Sequence, residues 1–241
     1  MTTLRERAAG RPRTIAVVAI PALLAVLFAT ATYTPLFHLR DVRVEGEHEV
    51  SRDRVLALAG VGPGTNVFHL DAGAIERALV TDPWIASATV ERHLPGDVVI
   101  RIQERAPVAR SAVGSTMVAL AGDGVVLPDA PTDDLPEIRA SVGELSDDVR
   151  TGAAQALAAL APVLRGRVDA VVADPTGSLV ITLAEGPTVH YGPAGEDAAK
   201  AAALRAILSW AAGQGAELRA VDLSVPQAPS ATLADGSTVT P

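Results

Sequence analysis

Side chains able to do chemistry are few here, and they are scattered. Histidines stand at His38, His48, His69, His93 and His190. No pair has the His-x-x-x-His or histidine–carboxylate spacing that puts two ligands on one metal ion. Gly62-Pro63-Gly64 lacks the downstream glycine and lysine of a phosphate loop and reads as a turn between helices. There is no Gly-x-Ser-x-Gly element, and no serine has a recognisable base partner. Asp133-Asp134 and Asp147-Asp148 fall in a loop and at a helix start, where solvation and the helix dipole account for paired acids. Arg101, Glu104 and Arg105 could form a patch, and a solvated strand face explains them equally well. Cysteine is absent, which excludes disulfides and thiolate metal sites. The expectation is a protein that is not an enzyme, with no catalytic, metal or cofactor-binding residues.

The elements around these residues suggest an exported binding protein. The 241 residues suit two modest domains and an anchor. Hydrophobic residues make up 49% of the chain, mostly small ones, and aromatics only 3%. Arg5, Arg7, Arg11 and Arg13 make the tail 1–13 basic, although the chain carries a net charge of −8. An acidic body leaves no basic stripe for nucleic acid. From Thr14 to Tyr33 no charge interrupts a run long enough, as a helix, to cross a bilayer. The basic tail then places the N-terminus in the cytoplasm. A cleaved signal peptide ending near Ala29-Thr30-Ala31 is the competing reading. It is disfavoured because the apolar run exceeds an ordinary signal core.

Beyond the anchor, Leu39, Val42 and Val44 alternate with charges as a strand ending at Gly46. Ser51 caps a first helix closed by Gly60, with Val50 stapling onto Val55. Asp71 caps a second, whose Ile75, Ala78 and Leu79 share one face. Ala86, Ala88 and Val90 alternate in a strand, Pro95-Gly96 fits a type II turn, and Val98, Ile100 and Ile102 face one side of a returning strand. Two helices on one face of a three-stranded sheet give an α+β unit.

Further on, Ser115–Leu120 and Val125–Leu127 flank Asp123-Gly124, a strong hairpin signal. Ser146 caps a helix running to Gly166 with Val149, Ala153, Ala156, Leu157, Leu160 and Leu164 inward. Strands follow at Val168–Ala173, Leu179–Leu183 and Thr188–Tyr191. A helix from about Glu196 to Ala212, stopped by Gly213, and a strand from Leu218 to Val225 complete the pattern. Residues 231–241 are small and polar and read as a flexible tail.

The strand–helix–helix–strand–strand order, with Pro83-Trp84-Ile85, Leu94-Pro95 and Glu104-Arg105-Ala106-Pro107-Val108-Ala109, resembles a POTRA domain. Behind a basic tail and one apolar span it resembles the FtsQ/DivIB family of cell division proteins. Asp123-Gly124, Leu135-Pro136 and Val221-Asp222 resemble that family's second domain. The resemblance implies a cytoplasmic tail (1–13), a transmembrane signal-anchor (14–35), a POTRA domain (36–106), a mixed β-rich domain with two packing helices (107–230) and the tail (231–241). It implies a non-catalytic, single-pass type II scaffold at the division septum, linking early and late division components. Partners would be FtsB (DivIC)-like and FtsL-like membrane proteins, and possible contact with the septal peptidoglycan synthase complex follows from that role. Strand pairing at a free sheet edge would hold them, with Val221, Asp222, Leu223, Ser224 and Val225 as the matching segment and Thr232 and Leu233 as its extension. A POTRA-bearing envelope transport component is the alternative.

Overall fold

The computed structural model describes residues 12–240, with side chains from Ile20 onward, so residues 1–11 of the expected basic tail lie outside the described residues. Helix α1 (Pro12–Ala31) occupies the expected anchor and contains Pro21. Among the described residues no helix is long and apolar enough to cross a membrane. The expectation of a span therefore rests on the sequence of this segment. The chain divides into two units, Met1–Glu104 and Arg105–Pro241.

In the first unit β1 (Asp41–Glu45), α2 (Arg52–Ala59), α3 (Ala72–Leu79), β2 (Ile85–His93) and β3 (Asp97–Glu104) follow in the expected order. The sheet runs β1-β3-β2, with β1 parallel and β2 antiparallel to β3. The caps are those the sequence proposes. Ser51 accepts from the Arg54 N–H, Asp71 from the Ala74 N–H, and Gly60 closes α2 in the left-handed region. Val55, Ile75 and Leu79 from the helices pack on Val98, Ile100 and Ile102.

Two details differ. Ala86 is not an inward residue, because a bulge between Ile85 and Ser87 shifts the register and turns Ile85 inward instead. The Pro95-Gly96 turn is not type II: the Leu94–Pro95 bond is cis and Gly96 is not among the residues of positive φ. Gly96 is needed for space. An added Cβ would lie 2.7 Å from the His38 carbonyl oxygen, because the chain entering β1 crosses here and the Arg40 N–H bonds the Gly96 oxygen at 2.8 Å.

The second unit is one mixed sheet carrying a helical layer. Its strands are β4 (Pro107–Val113), β5 (Thr116–Ala121), β6 (Val126–Leu127), β7 (Glu137–Ala140), β8 (Val168–Ala173), β9 (Ser178–Leu183), β10 (Thr188–Pro193), β11 (Leu218–Asp222), β12 (Ser230–Leu233) and β13 (Thr238–Val239). They lie in the order β13-β12-β11-β10-β9-β8-β7-β4-β5-β6. The helices are α4 (Asp147–Ala159), α5 (Pro162–Arg165) and α6 (Asp197–Gln214).

Two helix boundaries depart from the sequence reading. The helix expected to reach Gly166 breaks at Leu160 and Ala161, both out of helical dihedrals, because a residue before proline is pushed out of them and Pro162 starts a new turn. Helix α6 continues through Gly213 and stops at Gly215, which adopts φ +64.

Candidate partner-binding rim

Strand β11 carries the first part of the expected docking segment, and it is interior. It pairs in parallel with β10 through Val189↔Val221 and His190↔Asp222, and antiparallel with β12 through Val221↔Ala231 and Asp222↔Ser230. Val221 and Leu223 are buried, and the Leu223 N–H donates to the His190 carbonyl at 2.8 Å. Asp222 turns outward and accepts from the Ser224 N–H at 2.8 Å. Val225 lies beyond the strand, 56% exposed. The expected edge at Val221–Val225 is therefore not a free edge of the sheet. Thr232 and Leu233 belong to β12, which is itself covered by the two-residue β13 through Ala231↔Val239 and Thr232↔Thr238.

The covering hairpin falls where a flexible tail is expected. Gly236, at φ +87, makes its turn, and the Leu233 N–H donates to the Ser237 oxygen at 2.9 Å. The Ser237 hydroxyl and N–H both donate to the Asp235 carboxylate, which holds its pKa below the ordinary carboxylate value. Asp235-Gly236 is the same signal as Asp123-Gly124, and it was legible. The small polar composition around it hid the strands.

Behind this rim, an unforeseen cluster fixes β10 to α6. Tyr191 is buried and its hydroxyl donates to the Asp197 carboxylate at 2.8 Å. Burial first, and then that carboxylate, push the phenol pKa up. Lys200, the single lysine of the chain, is only 3% exposed. Its Nζ donates to the Pro193 oxygen at 2.5 Å and lies 4.7 Å from the centre of the Tyr191 ring. Lysine so deep is rare unless its head group is partnered; here a carbonyl and an aromatic face do that. Gln227 donates to Glu196 at 2.8 Å, tying the loop after β11 to the start of the same helix.

Arg101, Glu104 and Arg105, weighed together as a patch, are each engaged with separate partners. Arg101 bridges Glu45 on β1, at 2.8 Å, and Glu91 on β2. The hydrogen bonds to Glu91 and then Glu45 raise its pKa. Glu104 accepts the N–H groups of His48, Glu49 and Val50, each at 2.9 Å. Arg105 pairs with Asp123 at 2.8 Å. Among the described residues no three metal-ligating side chains come together.

Two family models match along the chain in order: the FtsQ-type POTRA domain over residues 37–105, and the Cell division protein FtsQ/DivIB C-terminal domain over residues 109–224. The chain belongs to the FtsQ/DivIB family. Similar curated relatives are the cell division proteins FtsQ of Mycolicibacterium smegmatis (30% identical), Mycobacteroides abscessus (29%) and Mycobacterium bovis (31%). The matches cover 79%, 90% and 90% of this chain, and 58%, 69% and 66% of those relatives. The chain thus spans well under three quarters of each. A solved extracytoplasmic domain of DivIB from Geobacillus stearothermophilus matches 47% of this chain and 96% of its own at 19% identity. Its TM-score is 0.32. The C-terminal family model ends at Ser224, so the β12–β13 hairpin lies just past the part of this FtsQ/DivIB chain that it matches.

Proposed function

We propose that the chain is a bitopic, non-catalytic scaffold of cell division. In this reading α1 spans the membrane, the N-terminus is cytoplasmic, and both units stand outside at the septum. FtsB- and FtsL-type membrane proteins dock by strand pairing at the β12–β13 rim, linking early and late division components. The supporting observation is that a ten-stranded sheet ends at a strand of two residues, Thr238–Val239. That strand leaves Ser230 of β12 outside its pairing register. A partner strand extends β13 or displaces it, bonding to backbone. Val221, Asp222, Leu223, Ser224 and Val225 act in this reading as the base on which the rim is built. Thr232 and Leu233 form the rim itself.

The test is crosslinking from Thr232, Thr238 and Val225 in growing cells, with a tagged chain followed by microscopy. Capture of an FtsB- or FtsL-type protein at Thr232 and Thr238, and fluorescence at the septum, are expected. Uniform fluorescence with no such capture would end the proposal.

A further inference from the structure

A furrow of about 630 Å³ opens on the helical face of the second unit. One wall is the break between α4 and α5, carrying Val163 and Leu164; the other is α6, which presents Ala198, Ala202 and Ala212. The furrow follows from the sequence: Pro162 interrupts the helix, and alanines keep the opposite wall low. From Ala198 to Ala212 that wall runs roughly 21 Å at ~1.5 Å per residue. Val163 is 83% exposed, the highest value among the large apolar side chains described. Arg167 and Arg205 stand at the same furrow, both exposed. Among the described residues neither forms an ion pair, and the Arg167 guanidinium makes one long bond, 3.4 Å, to the Glu185 backbone carbonyl.

We infer that this furrow is a docking site for an amphipathic helix of a partner chain, apolar on the face it buries and flanked by carboxylates. Small residues along α6 let a second helix approach to the ~8–10 Å of ordinary helix packing. The two guanidinium groups supply forks for carboxylates. Charge also selects the occupant. On a chain of net charge −8 an acidic segment is repelled over most of the surface and held only where free arginines border an apolar floor. The furrow involves α5 and α6 and not the β12–β13 rim, so it stands or falls independently of the division scaffold reading.

The experiment uses the full chain in phosphatidylcholine nanodiscs with isotope-labelled alanine methyls. The probes are a synthetic amphipathic helix with leucines on one face and glutamates beside them, and a twin with lysines in place of the glutamates. The glutamate peptide is expected to shift the Ala198, Ala202 and Ala212 methyls saturably. Its binding weakens about three- to tenfold in Arg167→Glu and in Arg205→Glu, whose unchanged remaining spectra report intact folding. The lysine twin binds Arg205→Glu better than the parent. Absence of saturable shifts in the parent chain, or equal binding of both peptides, overturns the inference. So does displacement of the peptide by phosphatidylglycerol added to the discs, which would mark the furrow as a site for an anionic amphiphile.

Discussion

The two units close their sheets in opposite ways. In the first, a helix side chain bonds the backbone of each edge strand: Glu76 of α3 accepts the Val90 N–H of β2 at 2.8 Å, and Arg52 of α2 donates to the Val42 carbonyl of β1. Glu104 closes the loop after β1 in the same manner. In the second, both ends of a ten-stranded sheet are finished by two-residue strands, β6 and β13. Each such side chain occupies a backbone group that a visiting strand would need, whereas at the ends of the second sheet only a short strand does so. The proposed docking at the β12–β13 rim rests on this contrast.

The largest expected effect tests how each core is held. The helical layer of the second unit relies on a few large side chains among alanines, with Leu157 fully buried. Leu157→Ala should cost about 2–5 kcal/mol and lower the melting transition of the second unit while leaving that of the first in place. Calorimetry of the full chain reads both, and a common shift would show that the units do not melt separately. Gly46→Ala should be nearly as damaging in the first unit, by about 1–3 kcal/mol. Gly46 holds φ +90, and an added Cβ would fall 2.2 Å from the Ile102 oxygen.

Smaller effects bear on the rims themselves. Glu76→Ala strips the cap from β2 and should cost about 1–3 kcal/mol, the cost of an unpaired donor. It should also make the first unit self-associate in sedimentation. Thr238→Pro, at the end of the sheet, should cost under about 1 kcal/mol and change crosslinking at Thr232, lowering it where the partner extends β13 and raising it where the partner displaces β13. Partner capture that it leaves unchanged would move the docking site away from this rim.

Acid titration gives the smallest and most local effect. Burial works to raise the Glu104 pKa, but the N–H donors of Glu49, His48 and Val50 outweigh it and leave the value lowered. A carboxylate with a depressed folded pKa contributes stability that is full above its unfolded pKa, ~4.3, and is lost as pH falls through the folded value. Stability of the first unit should therefore decline below about pH 4.3. Glu104→Gln should flatten that slope in acid-unfolding curves and leave the contribution of the other carboxylates.

Sequence by itself determined the features that act over a few residues. Ser51, Asp71 and Ser146 announce their helices because a cap needs only its own next turn. Asp123-Gly124 announces β5–β6, and the alternation in Val98–Ile102 gives the buried face of β3. Strands β4 and β7 were not legible as strands. Strand β7 has only four residues, and both strands take a parallel partner from far along the chain, Arg110↔Glu137 and Glu137↔Ala170. The bulge at Ala86 and the extra length of α6 likewise depend on what packs against them.

Which strand ends the sheet was decided only by the tertiary structure. Val221–Asp222 has the composition of a docking strand, yet the pairing of Val221 with Val189 on one side and Ala231 on the other makes it interior. Alternation shows which face of a strand is buried; it carries no information on how many neighbours the strand has, because hydrogen bonds to neighbours run through backbone that every residue shares. The exposed rim is set by where the last hairpin folds back.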